Sequence, residues 1–270
     1  MTKELNGGEL AGFIKERQAR LVRSLKAQKI SPRLVILRDS DDPVIKKYVS
    51  LKQRYGADIG IVVEDQLVET SQLSSAIKSA NANPAVSAII VQLPLQDPSL
   101  TDQIVAQIAP EKDVDGLSGK GHFDSATATA INWLLSSYNV NLTSGQIALV
   151  GRGRLVGAPL ETMFKNSGYH VQVFHRGDDL SVLKNFDIII TATGVPGLIK
   201  SEYIKSGATV VDAGTASEDG VLKGDLADDV RTRTDLDYLT PKIGGVGPLT
   251  IATLFENVLF AAQAQARPKP

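Results

Sequence analysis

Five residues, YVSLK at 48–52, set a phenol and a primary amine one helical turn apart. Four residues of α-helix rise about 6 Å, so Tyr48 and Lys52 point from the same face. An amine there does proton chemistry if burial or a neighbouring charge lowers its pKa, while a phenol offers a flat apolar ring with a polar end. Spacing alone does not separate this from a solvated helix face, because i,i+4 polar pairs are common on exposed helices. A second chemical feature lies further along, in LVGRGRLVGAP, with glycines at Gly151, Gly153 and Gly157. Glycine lets the backbone turn tightly and approach a pyrophosphate, and a following helix offers free N–H groups and a positive dipole. The spacing G-x-G-x-x-x-G differs from the dinucleotide fingerprint by one residue, so the motif depends on its context.

The context is a strand before the glycines and a helix after them. A site selective for NAD places an acidic residue about 20 positions on, at the end of the second strand. Here that strand ends in His175–Arg176. Arg176, with Arg152 and Arg154 in the glycine turn, suits a 2′-phosphate, so NADP is expected over NAD. Asp178 and Asp179 work against that charge argument.

The elements that must carry these residues form two alternating series. ELAGFIKERQARLVRSLKAQ has apolar residues Leu10, Phe13, Ile14, Leu21 and Leu25 near helical period. RLVILR (33–38) reads as a buried strand. Asp42 and Pro43 then start a helix that contains YVSLK and is expected to end near Gly56. DIGIVV (58–63) and VSAIIVQL (86–93) read as strands, with a helix from about Ser71 between them. The second series has a connecting helix over 127–138, then QIALVG (146–151) and a helix over Ala158–Asn166. HVQVFH (170–175), FDIIITATG (186–194) and ATVVDAG (208–214) complete it as strands. Short β-branched strands alternating with helices predict mainly parallel sheets, and two series predict two α/β domains. The tail AAQAQARPKP reads as a helix end and a frayed terminus.

Composition excludes several functions. The 270 residues are 43% hydrophobic and 22% charged with net charge −1, an ordinary globular balance without a broad basic surface for nucleic acid or anionic lipid. No cysteine is present, which removes disulfides, thiolate catalysis and cysteine-ligated zinc. His122, His170 and His175 lack ligand spacing, so no metal site is expected. Neither a signal-peptide run nor about 18 uninterrupted apolar residues occurs, and a soluble cytoplasmic protein is expected.

Four further segments fall in order with the glycine turn: YVSLK, VQLPLQ (91–96), PEKDVDG (110–116) and GGVGPLT (244–250). Together the five resemble the bifunctional methylenetetrahydrofolate dehydrogenase/methenyltetrahydrofolate cyclohydrolase family, over nearly the whole chain. The resemblance implies two α/β domains with a cleft between them, the second a Rossmann-like dinucleotide-binding domain, and a homodimer. It implies a folate-binding catalytic domain at 1–118, a nucleotide domain at 119–270, and a terminal helix at about 248–265 packed back on the first domain. The implied reaction oxidises 5,10-methylenetetrahydrofolate with NADP and hydrolyses the methenyl product to 10-formyltetrahydrofolate. Transferred residue by residue, Tyr48 stacks on the folate rings, Lys52 is the main catalytic group, Gln92 positions it, and Asp115 accepts hydrogen bonds from the pterin. Leu93, Gly244 and Gly245 are implied folate contacts. Gly151, Arg152, Gly153, Val156, Gly157, His175, Arg176, Thr193 and Gly194 are implied to hold the cofactor.

The chain departs from the family pattern in four places. SATA (125–128) stands for P-C-T-P, Gly153 for a serine, HRGD (175–178) for H-S-x-T, and Ile243 for a proline before the glycine pair. These changes bear on cofactor choice and loop shape and leave Tyr48, Lys52, Gln92 and Asp115 intact. Two other readings compete: a two-domain NADP enzyme resembling shikimate dehydrogenase, and a nucleotide-binding module without chemistry.

Overall fold

The computed structural model describes residues 1–218 and 221–266; the fraying expected over 267–270 lies outside them. In chain order the first elements are β1 (Lys3–Glu4), α1 (Gly7–Ala27), β2 (Arg33–Arg38), α2 (Pro43–Ile59) and β3 (Val62–Leu67). Then come α3 (Leu73–Ala82), β4 (Ala88–Val91), α4 (Thr101–Val105) and α5 (Ala126–Ser137). The second series is β5 (Ile147–Val150), α6 (Gly157–Asn166), β6 (Val171–Phe174), β7 (Ile188–Thr191) and β8 (Thr209–Asp212). A hairpin of β9 (Ala216–Glu218) and β10 (Val221–Lys223) precedes α7 (Asp228–Arg231), β11 (Tyr238–Leu239) and α8 (Val246–Ala266).

Two compact units emerge. The first comprises Gly12–Ala126 and the chain from Ile251 onward; the second comprises Met1–Ala11 and Thr127–Thr250. The sequence reading divided the chain at 118/119 and packed the helix at about 248–265 back on the first domain; here the first eleven residues go with the second unit. Their reason is a strand too short to see in sequence: Lys3 and Glu4 pair in parallel with Tyr238 and Leu239.

The first unit is built on a parallel sheet in the order β3-β2-β4. β2 lies in the middle, which is why RLVILR is an uninterrupted apolar run between two arginines rather than an alternation. Val35, Leu37, Ile89 and Val91 pack with Leu73 and Ile77 of α3 into one core. α2 begins as expected: Asp42 accepts from the N–H groups of Val44 (2.8 Å) and Ile45 (3.3 Å), with Pro43 in the first turn. It does not stop at Gly56. A Cβ on Gly56 would sit 2.4 Å from Val63 Cγ2, so this glycine serves a close helix–strand approach. The helix ends at Gly60, whose φ of 85° is left-handed, and β3 therefore starts at Val62 rather than 58.

α1 also differs in detail. Phe13, counted among its apolar positions, is 67% exposed, whereas Gln18 is fully buried. Gln18 is tolerated inside because it is fully bonded. It donates to Ala252 O (2.9 Å) and Glu256 Oε2 (2.9 Å), and accepts from Tyr55 Oη (2.8 Å). The middle turns of α8, residues 252–262, are buried nearly all round apart from the exposed Phe260, as for a helix inside a core. Phe255 there stacks on Tyr55 at 5.0 Å between ring centroids.

The second unit carries a parallel six-stranded sheet, β1-β11-β8-β7-β5-β6. β5 pairs with β6 on one side and β7 on the other, so the chain reverses its direction of build at the end of β5. Open α/β sheets bind ligands at such a switch point, and the glycine turn sits there.

Candidate active site

Lys52 lies on α2 one turn after Tyr48, both half-buried. Its Nζ donates to Gln92 Oε1 at 2.7 Å. Gln92 follows β4 directly, and its backbone N–H extends the ladder to Leu37 O at the end of β2 (2.8 Å). The amide's Nε2 donates to Leu93 O (2.9 Å), which fixes the oxygen toward the lysine. Leu93 is half-buried and precedes a cis peptide bond to Pro94. Asp39, buried at the end of β2, ties this loop down: it accepts from Gln96 N–H (3.1 Å) and Thr70 Oγ1 (2.9 Å).

The KDVDG segment separates its charges by role. Lys112 Nζ donates to three carbonyls at the end of α3, those of Ala80 (3.0 Å), Asn81 (2.8 Å) and Asn83 (2.8 Å), and so closes that helix. Asp113, fully buried, accepts from Ser118 N–H (2.9 Å) and Ser118 Oγ (2.6 Å). Gly116 turns the chain at φ 69°, where a Cβ would meet Phe123 O at 2.6 Å. Asn257 of α8 donates to Val114 O at 2.9 Å, which holds the loop from below. With the other two charges spent on the loop's own structure, Asp115 is the one that interacts electrostatically with Lys52.

By surface area Lys52 and Asp115 keep partial exposure, yet their charged ends are enclosed by protein. Enclosure of the charged end decides the proton energetics, because hydration of that end is what burial removes. Burial pulls the Lys52 ammonium below its usual range, with the Asp115 carboxylate opposing. Burial likewise pushes Asp115 up; Lys52 lowers it and Asp113 raises it further. Burial thus moves both groups toward neutrality, while the charge of each favours the ionised form of the other.

At the nucleotide turn, Gly151 N–H donates to Phe174 O (2.9 Å), so residues 152–154 stand beside His175 and Arg176 at the ends of adjacent strands. Gly151 has φ 96°, and a Cβ there would meet Ala192 O at 2.7 Å. A Cβ on Gly157, the first residue of α6, would meet Gly151 O at 2.1 Å. The fold itself needs these two glycines. A Cβ on Gly153 would meet nothing within 4 Å, so this glycine leaves backbone open to a ligand. Val156 immediately precedes α6. Thr193 and Gly194 form the loop after β7, anchored by the buried Asp225, which accepts from Thr193 N–H (2.7 Å) and Thr191 Oγ1 (2.6 Å). These features fit a dinucleotide.

The arginines are less uniform than the sequence suggests. Arg176 and His175 are exposed, and the HRGD turn closes on itself, with Asp178 accepting from His175 N–H at 2.7 Å. Arg152 is engaged: its Nε donates to Glu161 Oε2 at 2.5 Å. Gly244 and Gly245 hold the chain start in place. Gly244 O accepts from Gly8 N–H (2.9 Å), and a Cβ on Gly7 would overlap Gly245 O at 2.0 Å. Sequence reasoning did not single out Asp39, Asn257, Asp225 or the Gly7–Gly8 pair. Only the last left a local signal, the doubled glycine after Asn6.

Two family models match the chain: tetrahydrofolate dehydrogenase/cyclohydrolase, catalytic domain, over residues 5–115, and the NAD(P)-binding domain of the same enzyme over 125–266. A relative from Lactobacillus delbrueckii subsp. bulgaricus, bifunctional protein FolD, is 36% identical across 98% of this chain and 99% of its own. The solved bifunctional FolD of Campylobacter jejuni superposes with a TM-score of 0.92 at 31% identity, over 98% and 99% of the two chains. The Trypanosoma brucei enzyme, complexed with NADP cofactor and inhibitor, gives 0.90 at 29% identity over 99% of each. Of the readings that competed on sequence, these matches leave neither the shikimate-dehydrogenase type nor the module without chemistry in favour.

Proposed function

The chain belongs to the tetrahydrofolate dehydrogenase/cyclohydrolase family, and from that premise we propose how its residues divide two reactions. The protein oxidises 5,10-methylenetetrahydrofolate to methenyltetrahydrofolate with NADP and hydrolyses that product to 10-formyltetrahydrofolate, in one-carbon metabolism. The unit built on β3-β2-β4 is the folate-binding catalytic domain, and the six-stranded unit is the nucleotide-binding domain. NADP, when bound, supplies the hydride acceptor for the first reaction.

Lys52 serves both steps, as an uncharged neighbour in the first and as the proton acceptor in the second. As hydride leaves the methylene carbon, that carbon becomes cationic, and an ammonium nearby would oppose it; an amine does not. In the second step the oxygen of water bonds to the methenyl carbon and Lys52 Nζ takes the water's proton. The carbinol formed then loses its remaining O–H proton as one carbon–nitrogen bond breaks; the departing nitrogen takes up a proton in its place, the C=O of the formyl group forms, and one proton is released overall. Gln92 aims Nζ through its fixed amide oxygen. Asp115 receives the pterin's N–H groups, and Tyr48 stacks against the folate rings. Leu93, Gly244 and Gly245 complete the folate contacts. Gly151, Gly153, Val156, Gly157, Thr193 and Gly194 bear on the nucleotide's phosphates and ribose, and Arg152, His175 and Arg176 on its 2′-phosphate end.

The observation carrying this reading is the 2.7 Å Lys52–Gln92 bond on an amine whose charge is disfavoured by burial. A homodimer belongs to the same proposal, supported by the family resemblance and checked by light scattering. So does work in the cytoplasm on a free folate, without a nucleic-acid or membrane partner. The near-zero net charge supports it, and no helix among the described residues is long and apolar enough to cross a membrane. One assay tests the reactions: starting from methylenetetrahydrofolate, NADPH and the methenyl absorbance are followed together, with NAD as control. Transient methenyl and faster turnover with NADP are expected; equal kcat/KM for NAD overturns the 2′-phosphate assignment.

A further inference from the structure

Glu161 is a carboxylate in an unusual place. It lies on α6 four residues after the helix begins, its side chain only 11% exposed, directly behind the glycine turn. It accepts from Arg152 Nε at 2.5 Å and from Lys165 Nζ at 2.6 Å, one cation on each oxygen. Both partners hold the carboxyl below its usual range, Lys165 most. Arg152 and Lys165 are themselves more than half exposed. Among the described residues the terminal nitrogens of Arg152 have no hydrogen-bond partner, so the contact uses the inner edge of the guanidinium and leaves its outer fork open.

From this geometry we infer that Glu161 is a positioning residue for cofactor selectivity: it fixes Arg152 so that the outer fork of the guanidinium meets the 2′-phosphate of NADP. An arginine fork grips a phosphate with two parallel bonds only when its plane is set, and a free half-exposed arginine must be ordered at the moment of binding. A carboxylate beside the cation also tends to cancel its charge. Here Lys165 offsets that: the cluster of Arg152, Lys165 and Glu161 keeps one net positive charge. The carboxylate therefore organises the arginine without neutralising the site. The inference rests on the assignment of Arg152 to the 2′-phosphate.

The test uses the full-length protein and nucleotide fragments, so that no turnover is needed. Calorimetry compares 2′,5′-ADP, which carries the 2′-phosphate, with 5′-AMP, which does not. In Glu161→Ala the Kd for 2′,5′-ADP is expected to rise about fivefold, the worth of ordering one long side chain, while 5′-AMP binds as before. Glu161→Gln keeps an acceptor and the side-chain volume, and its Kd falls between Ala and wild type. If Glu161→Ala weakens both fragments alike, the variant has damaged the turn, and Glu161→Gln decides: equal weakening there too makes the role structural and overturns the inference. Tighter 2′,5′-ADP binding in either variant also overturns it, since Glu161 would then compete with the phosphate. Arg152→Ala separates the two levels. Unchanged 2′,5′-ADP binding in that variant defeats the Arg152 assignment itself, whereas a loss there with no effect of Glu161 defeats only the inference.

Discussion

The two chemical centres of this chain treat charge in opposite ways. Around Lys52 the charged ends are enclosed, and burial moves both the amine and the Asp115 carboxyl toward their neutral forms. Around the glycine turn the cations stand in solvent, and Glu161 between them is held more firmly ionised. The difference follows from the tasks. Proton transfer needs a group close to changing its charge, so a poorly hydrated site with one weak counter-charge is suitable. Recognition of a phosphate needs a charge that never changes, which guanidinium supplies and exposure does not disturb. Two α/β units made of the same element types thus differ where it matters, in how deeply each encloses its charged groups.

The sharpest way to break this contrast is to remove the amine. Lys52→Met keeps an unbranched apolar stem but cannot take a proton, so hydrolysis of methenyltetrahydrofolate is expected to fall about a thousandfold. Binding of 2′,5′-ADP stays as in wild type, as calorimetry on the same sample shows. Wild-type hydrolysis in that variant would remove Lys52 from the mechanism. The converse change is Gly157→Ala, whose new Cβ would lie 2.1 Å from Gly151 O. The turn must shift, and kcat/KM for NADP is expected to fall about a hundredfold, as for a misplaced binding loop. Hydrolysis of methenyltetrahydrofolate supplied directly loses far less. A comparable loss in both reactions would show that the two centres are not separable in this way.

How much of this was legible in sequence depended on the kind of interaction. The central strands β2, β4, β5 and β7 were plain because burial on both faces writes continuous apolar runs. The start of α2 was plain too, since Asp42 and Pro43 act through local geometry. Its end was misread because Gly56 carries two possible meanings, a stop or a close contact, and only Val63 on the next strand tells them apart. The same limit hid Gln18, whose burial is paid for by partners on two distant helices. At the candidate site the reacting residues were visible as motifs, but their supports were not. Asp39, Asp225 and Asn257 hold loops from elsewhere in the chain, and nothing in their own neighbourhoods marks them. Arg152 was read as a free cation because its partner Glu161 lies nine residues away on a helix face, not in the motif.

Smaller changes sharpen the picture within the enclosed centre. Gln92→Leu removes the acceptor 2.7 Å from Nζ while keeping most of the volume, so the amine remains but is no longer aimed. Hydrolysis should drop about tenfold, the upper end of what one hydrogen bond to an uncharged amine contributes. A loss as large as that of Lys52→Met would mean that Gln92 does more than position.

The subtlest test concerns the proton itself. Lys52 acts as a base only when unprotonated, so hydrolysis falls away on the acid side of its pKa. Burial lowers that pKa, and the Asp115 carboxylate raises it back by favouring the ammonium. In Asp115→Asn the carboxylate is gone and burial acts alone. The acid limb of kcat/KM for methenyltetrahydrofolate is therefore expected to move to lower pH, even though folate binding weakens and the plateau drops. A purely substrate-binding role for Asp115 would lower the plateau and leave the limb in place. A shift to higher pH would contradict the sign of the coupling, because losing an anion cannot make the neighbouring ammonium easier to keep. The limb thus reports on the balance between enclosure and counter-charge that sets Lys52 apart from the solvent-exposed cations of the nucleotide turn.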